Sequence, residues 1–212
     1  MLVIAVLNTK GGVGKTTLTT CLAVRAAGDG TTALCDLDPQ LSLSSWHERR
    51  GSPDNPDLLK GAKRASSAID GLEDGTYDFV FIDGPPGALR VTEDAIETAH
   101  FVVLPIRASG LDLEAAQDAI QLCRDLDRPF MLVLNDVGTH DKRLLENARE
   151  LLSNWGVPVA DTAIGHRVQY INAMTSGRTG PEKDAKAADE INGLWAEIKK
   201  ATKKLAKARA RS

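Results

Sequence analysis

A doubly wound α/β fold, with a mostly parallel sheet and helices on both faces, is predicted by three observations. Short apolar runs recur along the chain, the first at Leu2–Leu7, and helix-length segments separate them. The runs are apolar throughout rather than alternating, the pattern of strands covered on both faces. The polar motifs fall at the carboxyl ends of these runs, where open parallel sheets place their ligands.

The elements follow in order. Leu2–Leu7 reads as a central strand, and Leu18–Ala27 as the helix after a glycine-rich loop. Gly28-Asp29-Gly30 breaks the chain, Thr31–Cys35 forms a second strand, and Leu41–Arg50 a helix. The stretch 51–56, rich in Gly, Pro and Asn, is a loop. Leu58–Leu72 is expected as a helix with an irregular start. Phe79–Asp83 is the next core strand, Thr92–Ala99 a helix, and Phe101–Pro105 a strand. Asp112–Leu126 reads as a helix capped by Asp112, Phe130–Asn135 as a strand, and Asp141–Trp155 as a helix. A short last strand is expected within Val157–Ile164, a short helix at Val168–Thr175, and a final helical region from Pro181 to about Ala208.

The 212 residues, 42% of them apolar, are enough for one globular domain spanning 1–212. The net charge of −3 hides an asymmetry. From Lys199 onward there are seven Lys/Arg and no acid, which leaves −10 on the rest of the chain. Cys21, Cys35 and Cys123 are widely spaced in apolar surroundings, as expected of core thiols in a reducing, cytoplasmic compartment. The first apolar run is too short for a signal peptide, and no stretch reaches the roughly 20 apolar residues of a membrane span.

The chemistry begins at Lys10-Gly11-Gly12-Val13-Gly14-Lys15-Thr16-Thr17, between the first strand and the first helix. Glycines there let backbone N–H groups turn toward a polyphosphate, Lys15 can reach the β- and γ-phosphates, and Thr16 can offer its hydroxyl to Mg²⁺. Thr9 stands where the general pattern has its first glycine, and Lys10 is an additional lysine beside it. Such a loop alone fits a kinase, a GTPase or an ATPase. Asp83, at the end of an apolar strand, fits an acid that holds Mg²⁺ through its water shell. Asp36 and Asp38 flank Leu37 in an extended segment and would face the same way. One can support the metal shell while the other orients or deprotonates the attacking water, and two carboxylates so close call for a cation between them and the phosphates.

Together, the loop, Asp36-Leu-Asp-Pro-Gln40 and Phe81-Ile-Asp-Gly-Pro-Pro-Gly87 resemble the ParA/MinD class of P-loop NTPases with a deviant Walker A motif. Asp36–Trp46 and Thr162–Arg167 look most like the small plasmid-partition ParA proteins of the ParF type, which start directly at the first strand. The resemblance implies Mg²⁺-dependent ATP hydrolysis to ADP in a homodimer that sandwiches ATP, with Lys10 reaching across to the partner's phosphates. By position, it makes Lys10, Lys15 and Asp38 catalytic, Asp38 orienting the water. It makes Thr16 the direct metal ligand, with Asp36 and Asp83 in the metal shell, and puts Thr17 on the α-phosphate. Asn135 falls where the family often reads adenine, although an asparagine ending a strand is also an ordinary terminator. Gly84 departs from the threonine that commonly follows the Walker B acid. Partners implied are nonspecific DNA and a small centromere-binding or cargo adaptor, and the expected location is the nucleoid.

The segment from about 195 to 212 is a basic amphipathic helix or tail. Trp195, Ile198, Thr202 and Leu205 recur at helical spacing among Lys199, Lys200, Lys203, Lys204 and Lys207. Three readings apply: a docked helix with a solvated face, a DNA-binding surface, or a membrane-surface helix. Clustered cations gain DNA affinity by releasing counterions, and Arg167 lies at a family position near the DNA-binding surface. Alanines beyond Leu205 disfavour a membrane helix. His47, His100, His140 and His166 lack metal-ligand spacing, and no cysteine pair could bridge a cluster.

Overall fold

The computed structural model describes residues 1–138 and 142–209, with backbone alone at 208 and 209. Within them, strands β1 (Leu2–Val6), β2 (Thr32–Asp36), β3 (Asp57–Leu58), β4 (Phe79–Asp83), β5 (Phe101–Ile106) and β6 (Phe130–Leu134) form one sheet. The order is β3-β2-β4-β1-β5-β6, and every pairing is parallel. The chain winds outward from β1 to one side and later returns to build the other, so the switch point lies beside β1. Register aligns the carboxyl ends: Val6 and Asp36 both stand opposite Asp83.

Helices α1 (Lys15–Ala27), α2 (Ser42–Arg49), α7 (Val168–Met174) and α8 (Ala185–Arg209) cover one face. Helices α3 (Ala65–Asp70), α4 (Leu89–Thr98), α5 (Gly110–Asp125) and α6 (Lys142–Asn154) cover the other. The pleat of β1 divides accordingly, Ile4 and Val6 meeting the first set and Val3 and Ala5 the second. Both sides are therefore buried, which is why the strands read as unbroken apolar runs. Trp195 of α8 is fully buried and meets Phe79 edge to face, ring centres 5.2 Å apart. The three cysteines are buried free thiols.

Three expectations need correction. The helix expected over Leu58–Leu72 is confined to Ala65–Asp70. Leu58 instead pairs with Leu34 on the sheet edge, and Gly61 turns the chain at φ +72°. The strand expected within Val157–Ile164 forms no ladder with β6, only an isolated bridge of Val159 with Leu132; a second bridge, Val137 with Gly165, lies past the end of both. Pro158 brings no N–H to a ladder, and Asp161 and Thr162 direct theirs to Glu197 of α8. The cap of α5 is Ser109, whose hydroxyl accepts from the Asp112 N–H, so Asp112 belongs to the first turn. His140, Asp141 and the tail beyond 209 lie outside the described residues.

Candidate functional site

The loop after β1 turns on left-handed glycines, Gly12 at φ +74° and Gly14 at φ +90°. At Gly14 a Cβ would lie 2.2 Å from Asn135 Nδ2. The asparagine packs against the glycine and donates to Val13 O at 2.7 Å. Lys15 opens α1 and is buried, its Nζ donating to Lys10 O at 3.0 Å. Burial lowers the Lys15 pKa, and the charges of Asp83 and Asp38 oppose that shift.

Asp83, fully buried at the end of β4, accepts from Thr16 Oγ1 at 2.7 Å and Thr19 Oγ1 at 3.3 Å. Burial pushes its carboxyl up to about 7; the Thr16 bond and the Lys15 charge pull it down, while Asp36 and Asp38 push it further up. Asp36 accepts from Ser44 N at 2.8 Å and Ser44 Oγ at 2.7 Å. Asp38 is half-buried and accepts from Gln40 N at 2.9 Å. Among the described residues no group of three or more His, Cys, Asp or Glu could hold a metal by itself. The donors are instead one hydroxyl and acids gathered beside a buried lysine. That set fits Mg²⁺, which keeps several waters and shares substrate phosphates rather than filling a protein cage. Thr16 would hold it, with Asp36 and Asp83 behind.

Lys10 does not point its charge into this pocket. Its ammonium is ion-paired with Asp112 on α5, and its backbone N–H donates to Asn8 Oδ1 at 2.9 Å. Asp112 is buried and also accepts from Ser109 Oγ at 2.5 Å. Burial works against its charge, yet the bonds from Lys10 and Ser109 hold its carboxyl below the ordinary range.

Beside the loop lies a cavity of about 270 Å³, lined by Gly12–Gly14, Thr17, Asn135, Asp136, Gly165–Arg167 and Tyr170, among others. Its rim is cross-linked. Arg107 Nη2 donates to Gly12 O at 2.8 Å, and Asp136 pairs with Arg107 at 3.2 Å and His166 at 2.6 Å. Glu190 of α8 fastens the far wall, accepting from Gly165 N at 3.2 Å, Tyr170 Oη at 3.1 Å and Arg167 Nη2 at 2.5 Å.

The structure thus gathers Lys15, Thr16, Asp36, Asp38 and Asp83 at one point and brings Asn135 to the loop. Of the residues expected to face DNA, it lines up Lys199, Lys200, Lys203, Lys204 and Lys207 along one groove of α8 and leaves Arg167 apart. Arg167 lines the cavity with its side chain 20% exposed and paired to Glu190. Lys199 is paired with Asp29 at 2.6 Å, whereas Lys200, Lys203, Lys204 and Lys207 are exposed. Sequence reasoning missed Arg107, Asp112, Asp136, Tyr170 and Glu190, whose partners lie far along the chain. The one local signal was Ser109-Gly-Leu-Asp112, an N-cap pattern read one turn late.

A glycine-rich loop between β1 and α1, acids at the ends of β2 and β4, and an adjoining cavity define a nucleotide-binding protein of the phosphate-loop class. Residues 4–179 match the profile of the CobQ/CobB/MinD/ParA nucleotide binding domain. The chain belongs to that family. It is 29% identical to maintenance of carboxysome distribution protein A of Halothiobacillus neapolitanus, with 92% of this chain and 95% of that one covered. It is also 29% identical to the chromosome-partitioning ATPase Soj of Thermus thermophilus, covering 83% and 86% respectively. A putative plasmid partition protein from Borrelia burgdorferi bound to AMPPNP shares the fold at TM-score 0.75 and 18% identity, covering 94% of this chain and 99% of that one.

Proposed function

We propose that residues 1–212 form an ATP-dependent DNA-partition ATPase. Two copies would close around ATP, bind DNA without sequence preference, and let go when an adaptor on the cargo stimulates hydrolysis. Residues of the loop would bind and orient the triphosphate: backbone N–H groups of Gly11–Gly14 and the Lys15 ammonium on the β- and γ-phosphates, Thr17 on the α-phosphate. The base would enter the cavity beside Asn135. Asp38, the most exposed of the three acids, would orient the attacking water. Bound Mg²⁺ would neutralise charge developing on the phosphates.

The observation that carries this reading is Lys10. A second loop lysine held by Asp112, with its side chain 41% exposed, is not committed to its own pocket. It is therefore available to a neighbouring copy, and a cation delivered in trans is worth about 10³–10⁵ in rate. Hydrolysis would then depend on dimerisation. Lys10→Ala should retain MgATP binding while hydrolysis, measured with DNA and the adaptor present, falls by about 10³ or more. Unaltered hydrolysis in this variant would remove the shared-site reading.

A second reading keeps the enzyme and changes the cargo. The Halothiobacillus relative is named for carboxysome distribution, which favours positioning of a protein body over a plasmid or chromosome. A small DNA-binding adaptor encoded alongside would support the first reading, and genes for a protein assembly the second. A membrane switch of the MinD type is disfavoured because Trp195 and Ile198, which would have to insert, are already buried against the sheet. Either cargo implies a cytoplasmic, nucleoid-associated protein.

A further inference from the structure

Two cations expected on the DNA-facing surface are neutralised within the chain, Arg167 by Glu190 and Lys199 by Asp29. The exposed Lys200, Lys203, Lys204 and Lys207 share with Lys199 a groove of about 570 Å³ along α8, where the Lys199 ammonium is turned to Asp29. Lys204 also lines a neighbouring cleft of about 580 Å³, where Arg124 and Arg128 are the other cations and Asp127 the one carboxylate. Phe101 and Phe130, the first residues of β5 and β6, form part of that cleft. It therefore opens at the edge of the sheet opposite the phosphate loop, which follows the last residue of β1.

Arg128 adds a second observation. Its Nε is buried and has no hydrogen-bond partner among the described residues. A buried donor left in that condition is destabilising, and an acceptor oxygen that reached it would relieve the cost. Lys200 and Lys207 are separated by about 10 Å of helix rise, and duplex DNA carries one negative charge per about 1.7 Å of its axis. A strip of this length can meet several phosphates at once.

We infer that the surface for the DNA backbone is a continuous strip running from Lys200, Lys203 and Lys207 through Lys204 onto Arg128 and Arg124, at the sheet edge away from the nucleotide, and that it excludes Arg167 and Lys199. The inference rests on the DNA-binding reading above and gives it a location. Because the cations at the α5–β6 turn are remote from the loop, removing them should leave basal ATP hydrolysis as it was.

The test is binding of the full chain, with MgATP, to a fluorescent random-sequence duplex across a salt series. Each phosphate contact removed should lower the magnitude of the slope of log affinity against log salt by about 1. Arg124→Gln/Arg128→Gln and Lys203→Gln/Lys207→Gln should each lower it by about 2, and Lys199→Gln should leave it unchanged. Asp127→Asn, at a left-handed position (φ +48°) that asparagine tolerates, should tighten binding, which a merely structural role would not produce. Arg124→Gln alone, lowering the slope by about 1, serves if the double variant melts early. A wild-type slope in the arginine variants beside a lowered one in the lysine variant would end the strip on α8 and overturn the inference while DNA binding stands. Loss of polyglutamate binding, with duplex binding intact, would reassign the cleft to an acidic polypeptide and overturn it too. A wild-type chain that ignores the duplex would overturn the DNA reading itself.

Discussion

Gly14 and Asn135 are fitted to one another across 121 positions of sequence. The glycine needs both its left-handed backbone and the absence of a Cβ, because the asparagine amide occupies that space. Gly14→Ala should therefore weaken MgATP at least tenfold, roughly the loss of one well-placed hydrogen bond to a charged group, as read by nucleotide fluorescence. Gly84 follows the same logic. A Cβ there would lie 2.1 Å from Leu7 Cδ2, so the glycine that departs from the family's threonine is matched by a bulky neighbour just past β1. Asp38 is a different case, since its carboxylate supports no core contact. Asp38→Ala should bind MgATP yet hydrolyse it about 10²–10⁴ more slowly, and equal single-turnover rates in variant and wild type would contradict a water-orienting role.

Among elements, α8 ties the sheet to the chain's last third, burying Ala187, Ile191, Leu194, Trp195 and Ile198. Its Trp195 is buried, stacks edge to face on Phe79, and donates to Asp29 at 2.9 Å. Trp195→Ala should cost about 3–5 kcal/mol by denaturant unfolding, well above the effect of any exposed lysine on the same helix. The turn before α8 is held differently. Glu182 closes a capping box with Thr179 and pairs with Arg50 at 2.9 Å. Burial opposes its charge, but the bonds from Arg50 and Thr179 lower its pKa from 4.5 to about 2. Stability from such a carboxyl is complete above 4.5 and is lost as pH falls through about 2. Glu182→Gln should remove on the order of 2 kcal/mol at neutral pH and flatten the acid limb of the stability curve, measured by urea unfolding at stepped pH.

This unevenness follows what the sequence could disclose. Strands β1, β2, β4, β5 and β6 were legible because burial on both faces leaves an unbroken apolar run. The phosphate loop and the acids at 36, 38 and 83 stood out because phosphate chemistry calls for particular residues at short spacing, and the fold brings Lys15, Thr16 and the three acids together. Residues 58–72 were not, since two residues of edge pairing beside a glycine turn carry no periodicity. Asp112 and Glu190 escaped for another reason: their partners Lys10 and Arg167 are 102 and 23 positions away, and only the fold brings the charges together.

At the scale of the molecule, the exposed lysines of α8 are segregated from the phosphate loop. The loop, three acids and the cavity occupy the carboxyl edge of the sheet, while the exposed lysines of α8 gather toward the opposite one. Cosedimentation with DNA should accordingly require ATP and fall steeply with salt, whereas anionic liposomes should pellet little of the protein. Liposome binding that persists in high salt would indicate an inserted apolar face and reverse the ordering of the two readings.

The buried cysteines carry a practical consequence. Cys21, Cys35 and Cys123 lie in the core, and burial pushes each thiol up to about 12, far from the reactive thiolate. A maleimide or aromatic disulfide reagent should thus find nothing to modify until the sheet comes apart. The rate of thiol labelling then reports global opening of this chain, and a single cysteine placed on its surface would be modified alone.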